Sequence, residues 1–215
     1  LERSELERRA LDARMKLLQA QVEPHFLFNT LANVRTLVRR AGSEQASALL
    51  DSLIHYLRAA LPQLDGGPGR FAEERALVQA YLDVMHLRMP DRLRFAIEVD
   101  ESVLPLHCPA AAVLTLVENA VRHGIDPAED GGLIEVDVRR VGERVYVRVA
   151  DSGLGLGPQR AGQAGDLPAG GTGLANLRER LALAFAGDAI LRLEPRHPRG
   201  TVAMLDLPVT PVPGP

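Results

Sequence analysis

Residues 133–157 read Leu133-Ile134-Glu135-Val136-Asp137-Val138-Arg139-Arg140, then Val141-Gly142-Glu143, then Arg144-Val145-Tyr146-Val147-Arg148-Val149-Ala150, and close on Asp151-Ser152-Gly153-Leu154-Gly155-Leu156-Gly157. Apolar and polar residues alternate with a period of two on either side of the short glycine-containing break, which is the signature of two half-buried strands joined as a β-hairpin. The glycine-rich run begins directly where the second strand stops. Working outward, Phe71 to Met89 has helical periodicity, Arg92 to Val99 strand alternation, and about Pro109 to His123 a further helix. On the other side follow a helix over 174–186, strands over Ala189–Glu194 and Thr201–Leu207, and a proline-rich tail. Strands and helices mixed without regular βαβ alternation predict an α+β fold, a two-layer sandwich.

The N-terminal third has another texture. Leu6, Ala10, Ala13, Leu17 and Ala20 form one helical stripe, with Leu11, Met15, Leu18 and Val22 beside it. Pro24 lacks a backbone donor and breaks or restarts this helix, so His25 sits at a break. Leu27, Leu31, Val34 and Val38 resume the stripe up to Ala41-Gly42-Ser43, and Leu49, Leu50, Leu53, Ile54 and Leu57 give a second helix ending near Pro62. A two-helix hairpin buries only one seam. Two copies forming a four-helix bundle would cover the rest, so residues 1–61 predict a homodimer. Pro62 to Gly69 is a linker by composition. The expected organisation is therefore 1–61 helices, 62–69 linker, 70–208 α+β domain and 209–215 tail.

Composition narrows the function. The 215 residues carry a net charge of −3, so no basic excess draws the chain to phosphate backbones, and direct nucleic-acid binding is not expected. The longest uncharged stretch, Ser102 to Val117, contains two prolines and a histidine and falls short of a membrane span. A lone cysteine, Cys108, has no partner for a disulfide or a thiolate metal site, which points to a reducing, cytoplasmic compartment. The opening at Leu1, without methionine or signal pattern, suggests a piece of something longer.

Four segments carry chemistry, and each taken alone also reads as an ordinary helix start, solvated helix face or glycine turn. In Glu23-Pro24-His25-Phe26-Leu27-Phe28-Asn29, a neutral imidazole beside a break is a good nucleophile. Asn29, one turn on, lies on the same face and can orient the ring or a phosphate oxygen. In Leu116-Val117-Glu118-Asn119-Ala120-Val121-Arg122-His123-Gly124, the Asn119 carbonyl suits Mg²⁺, an ion that keeps waters and is shared with substrate phosphates, while Arg122 and His123 are candidate phosphate contacts. After the hairpin, the Asp151 carboxylate can accept from an amino group while Gly153 and Gly155 let the backbone approach a flat base. Gly170-Gly171-Thr172-Gly173-Leu174-Ala175-Asn176-Leu177-Arg178-Glu179-Arg180-Leu181 runs glycines into a helix N-terminus, whose free amides bind phosphate. It has neither the Gly-Lys-Ser/Thr of a P-loop nor the Rossmann fingerprint.

These four segments, in this order, resemble the sensor histidine kinases of the LytS/YehU type, over about Gln19 to Pro208 and including Tyr81-Leu82, Arg88, Asp91-Arg92-Leu93 and Gly200-Thr201. The resemblance implies a dimerisation and histidine-phosphotransfer bundle followed by a Bergerat-type ATP-binding domain of the GHKL superfamily. By position it makes His25 the phospho-acceptor, Asn119 the Mg²⁺ ligand, Asp151 the adenine-reading carboxylate, and Gly153 and Gly155 the loop under the base. Residues 158–172 would form a lid over ATP, with Gly171 and Gly173 at its hinge, Leu174 opening the next helix and Thr201 near the adenine. Arg122, Arg178 and Arg180 are further candidates for phosphate or acceptor-helix contacts.

The sequence departs from the family pattern at Ala32, where asparagine is usual, and at Thr115, where glutamine is usual. Phe26 follows the histidine where other histidine kinases place an acid, so Glu23 and Glu118 are both left as candidate bases. Hydrolytic relatives put a water-activating glutamate where Thr115 stands, and a threonine cannot do that work. The expectation is Mg·ATP-dependent autophosphorylation of His25 and transfer to an aspartate of a response regulator receiver domain, in a protein anchored in the bacterial inner membrane through a segment preceding Leu1. A non-catalytic nucleotide-binding dimer and a GHKL ATPase or serine kinase are the competing readings.

Overall fold

The computed structural model describes residues 42–60, 69–155 and 172–209, together with Leu31, Val34, Val38 and Arg39, which are helical. His25, Asn29, Gly171 and nearly all of the expected lid, linker and tail lie outside the described residues. The chain divides into two compact units, Leu1–Ile54 and His55–Pro215.

In the first unit the break at Gly42-Ser43 is explicit. Gly42 takes a left-handed φ of 75°, and Ser43 Oγ accepts from the Ala46 amide at 3.3 Å. A serine in that place satisfies one of the orphan amides of a helix start, and Glu44 in the first turn suits its positive end. Helix α1 therefore spans Glu44–Ala60, beginning a turn earlier than its apolar stripe alone indicates.

The second unit takes in the last residues of α1 and continues with α2, Phe71–Arg88, where Glu73 Oε2 accepts from the Arg70 amide at 3.2 Å. It continues through β1 (Leu93–Val99), a short 3₁₀ turn at Glu101–Val103, α3 (Ala112–Asn119) and a π turn over Ala120–Ile125. The hairpin β2 (Gly132–Val141) and β3 (Arg144–Asp151) follows, then α4 (Thr172–Ala184), β4 (Ile190–Pro195) and β5 (Thr201–Pro208). The sheet order is β1-β2-β3-β5-β4. β1 and β2 are parallel, and every other neighbour pair is antiparallel. A parallel pair needs a crossover, and this one carries α3 back across the sheet.

Side-chain alternation puts the core on one face. Ile134, Val136 and Val138 of β2, Val145, Val147 and Val149 of β3, and Ala203, Leu205 and Leu207 of β5 are all buried. They form one cluster with Leu77, Val78 and Leu82 of α2, Leu116 and Val117 of α3, and Leu177 and Leu181 of α4. The fold is thus the expected helix layer on a mixed sheet. The β2–β3 loop is the two residues Gly142 and Glu143, since Val141 pairs with Arg144, and Gly142 supplies the positive φ of 59° that so short a turn demands.

The helix before the hairpin also differs from its sequence reading. The helix expected over Pro109–His123 starts at Ala112, because Ala111 adopts a left-handed φ of 55°, and it widens into the π turn before ending at Ile125. Such π turns recur at functional sites, and this one lies in the segment that holds Asn119 and Gly124.

Candidate nucleotide-binding site

The end of β3 delivers Asp151 into the interior, where the residue is only 2% exposed. Strand register places it opposite Thr201 of β5, and Thr201 donates to its carboxylate through both its amide and its hydroxyl. The Gly153 amide donates to Asp151 Oδ1 at 2.9 Å. Burial pushes the carboxyl above its usual range, and the Gly153 and Thr201 bonds and the Arg196 guanidinium pull it back. The result is an anchored carboxylate at the end of the sheet.

The backbone around it is crowded so closely that only glycine fits. A Cβ on Gly124, in the π turn, would lie 2.5 Å from Asp151 Oδ1, and one on Gly153 would overlap the Gly124 carbonyl. That same carbonyl accepts from the Leu154 amide at 3.0 Å, tying the loop after β3 to the π turn. Gly155 and Gly200 take positive φ of 80° and 119° and press together, so the loops after β3 and before β5 meet. Arg199 Nε locks the meeting by donating to the Gly153 carbonyl at 2.9 Å. Gly124 and Gly200 were not among the candidate site residues read from sequence. Their signal is present, because glycines that follow a helix and precede a strand are often sites of close approach.

Helix α3 extends from this corner. Gly124 lies about a turn and a half beyond Asn119, and Asn119 is half-buried at the end of α3. Thr115, one turn back on the same face, spends its hydroxyl on the Ala111 carbonyl at 2.6 Å. A Cβ on Gly173, in the first turn of α4, would sit 3.7 Å from the Thr115 methyl. The glycine run therefore enters α4 beside the face that bears Asn119. Arg122 and His123 are exposed on the π turn, and Leu174 is half-buried against the core. The structure thus gathers Asp151, Gly153, Gly155 and Thr201 at one corner, with Asn119 on the adjoining helix α3 and Gly173 of α4 beside Thr115, one turn before Asn119.

Glu118 is exposed and its carboxyl is shifted upward by partial desolvation. Its charge adds to burial in pushing up the phenols of Tyr56 and Tyr81, whose rings lie 5.9 Å apart. Arg178 and Arg180 both have main-chain partners, the carbonyls of Leu191 and Ala110 respectively. These bonds tie α4 to β4 and to the loop before α3.

Chemically, the corner offers a fixed acceptor for an exocyclic amino group, with bare backbone beside it against which a flat base can lie. Among the described residues no group of three His, Cys, Asp or Glu side chains could hold a metal ion. A lone asparagine carbonyl fits only a cation that draws its other ligands from phosphates and water, which is how Mg²⁺ is usually held beside a nucleotide.

Family comparison assigns this helix-backed mixed sheet to the ATP-binding domains of the GHKL type. Residues 13–93 match the family described as Histidine kinase, and residues 109–211 match the Histidine kinase-, DNA gyrase B-, and HSP90-like ATPases. The chain belongs to the sensor histidine kinase family, of the LytS type. It is 32% identical to the sensor protein LytS of Bacillus subtilis over 203 residues, covering 92% of this chain and 34% of that protein. The chain spans about a third of the length of the curated relatives it matches. In fold it is similar to the histidine kinase domain of the blue-light activated histidine kinase from Erythrobacter litoralis EL346, with a TM-score of 0.52, 17% identity and coverage of 86% of this chain and 94% of that one. It is also similar to the histidine kinase ThkA solved in complex with the response regulator protein TrrA, with a TM-score of 0.50, 16% identity and coverage of 98% and 65%.

Proposed function

We propose that the chain binds Mg·ATP at the Asp151 corner and along α3, transfers the γ-phosphoryl to His25, and passes it on to an aspartate of a response regulator. The observation that carries this reading is the continuity of the site: the buried Asp151 carboxylate, the Gly124 and Gly153 contact and the Asn119 face follow one another along a single helix end. His25 itself falls within the residues that match the histidine kinase family. Bound ATP supplies the phosphoryl group, and an Mg²⁺ ion shared with its phosphates would neutralise their charge.

The chain's own residues mainly position and neutralise, because phosphoryl transfer leaves little covalent chemistry to the protein. Asp151 reads the base, with Thr201 holding it in place. Asn119 would hold the cation and Arg122 and His123 would meet the phosphates, while the lid expected over residues 158–172 would hinge at Gly171 and Gly173. Nucleophilic attack falls to a neutral imidazole at His25, oriented by Asn29, with Glu118 or Glu23 taking the proton. Thr115 supports a kinase over a hydrolase, since its hydroxyl is held by the Ala111 carbonyl and it has no carboxylate with which to activate water.

The proposed acceptor partner is the receiver domain of a response regulator; the fold neighbour ThkA was solved in complex with the response regulator protein TrrA. A second copy of this chain would complete the helical bundle. Among the described residues no helix is long and apolar enough to cross a membrane. We place this segment in the cytoplasm.

Calorimetric titration of the purified chain with ATP, with and without Mg²⁺, tests the binding step. Saturable binding that Mg²⁺ strengthens and Asn119→Ala makes insensitive to Mg²⁺ is expected, whereas ATP failing to bind at millimolar concentration would remove the basis of the proposal.

A further inference from the structure

We infer that Glu74 and Arg92 are positioning residues for the nucleotide helix, clamping α3 and its π turn at both ends so that Asn119 and Gly124 sit where a bound nucleotide needs them. The inference rests on reading this helix as the nucleotide site.

Any helix leaves orphan amides at its start and orphan carbonyls at its end. Ala111, which precedes α3, has no side chain that can cap it. The amides are met from elsewhere. Glu74 of α2 is 1% exposed, and its two carboxylate oxygens accept from the amides of Ala111 at 2.5 Å, Val113 at 2.9 Å and Leu114 at 3.3 Å. At the far end, Arg92 Nη2 donates to the carbonyls of Ile125 at 3.4 Å, Asp126 at 2.8 Å and Ala128 at 2.7 Å. Arg88 of α2 adds an ion pair to the Asp126 carboxylate at 2.7 Å.

A carboxyl that accepts from the first amides thus sits at the positive end of the helix and a guanidinium at its negative end, so the orphan groups are met at both termini. Neither side chain belongs to α3. Both come from the segment between Arg70 and Leu93, within the span matching the histidine kinase family and outside the span matching the ATPase family. The helix that bears Asn119 is therefore held by residues that precede the ATPase-like region. Each clamp governs a different part of the site. The Glu74 end adjoins Thr115, one turn before Asn119 and beside Gly173 of α4, while the Arg92 end adjoins Gly124, which packs on Asp151.

That asymmetry makes the test specific. In the full chain, well below its unfolding midpoint, ATP and adenosine affinities are measured by calorimetry for wild type, Glu74→Gln and Arg92→Lys. Glutamine leaves one carbonyl oxygen where two carboxylate oxygens serve three amides. ATP binding should weaken about tenfold with adenosine binding held within about twofold. Arg92→Lys keeps the charge but loses the flat guanidinium, and should weaken ATP and adenosine together by about threefold or more. Glu74→Gln binding ATP as tightly as wild type, or losing ATP and adenosine to the same degree, overturns the inference. If Glu74→Gln does not fold, unchanged affinities in Arg92→Lys overturn it instead. Wild type that binds neither ligand would refute the nucleotide reading itself, a separate failure.

Discussion

Replacing Asp151 with asparagine isolates the base-reading contact from the stability of the fold. The carboxylate is 2% exposed and accepts from Gly153 at 2.9 Å and from Thr201. In Asp151→Asn the amide oxygen can keep the Gly153 bond, but a donor then replaces the acceptor that would face the amino group of a base. A hydrogen bond to a charged group is worth roughly 1.5–3 kcal/mol, which converts to about 10- to 150-fold in Kd. Stability should move little. Burial raises the Asp151 carboxyl, so its ionised form costs folding free energy as pH rises through that raised value, and a neutral asparagine removes the cost while losing part of the Thr201 pairing. A net change under about 1 kcal/mol shifts the melting midpoint by only about 4 °C or less. Calorimetry with ATP and with adenosine, beside a thermal melt, reads both quantities. Equal losses for ATP and adenosine with a nearly unchanged melt are expected, because the contact is with the base. Wild-type affinity in Asp151→Asn, or a loss confined to ATP, would refute the role given to this residue.

Further expectations follow from the same geometry. Gly124→Ala puts a Cβ 2.5 Å from Asp151 Oδ1, so it should displace the carboxylate and weaken adenosine binding at least about tenfold in a calorimetric titration. Burial pushes Glu74 up to about 7 from 4.5, so the fold favours its protonated form: that contribution is fully present below about 4.5 and lost as pH rises through about 7. Urea unfolding across this range should show stability falling with pH in wild type, and a shallower slope in Glu74→Gln. Leu177, 1% exposed where α4 meets the sheet, should cost roughly 2–5 kcal/mol of unfolding free energy when cut to alanine.

Much of the fold was legible because its strands are half-buried. Val136, Val138, Val145 and Val147 alternate with polar partners, and the hairpin forms where they place it, except that Val141 joins β2 and pairs with Arg144 instead of lying in the break. The candidate residues Asp151, Gly153, Gly155 and Thr201 also came together, since they lie at strand ends that the sheet brings side by side. What sequence could not show depended on distant partners. The start of α3 is set by a left-handed Ala111 whose amide bonds to Glu74, a residue far back in the chain that reads as one more solvated helix carboxylate. The π turn arises where Gly124 must pass Asp151, a contact between segments that periodicity treats separately. Arg178 and Arg180 are candidates for phosphate or acceptor-helix contacts because they are basic and close to a glycine run, and the fold adds what periodicity does not show, a main-chain carbonyl partner for each.

The central claim is phosphoryl transfer to His25, and the chemistry of the product tests it most directly. Incubating the chain with γ-labelled ATP and Mg²⁺, in wild type and in His25→Gln, and then treating the protein with acid and with alkali distinguishes a phosphoramidate from a phosphoester. Label that is lost in acid, survives alkali and is absent from His25→Gln is the predicted result. Acid-stable label, or full labelling of His25→Gln, would contradict it.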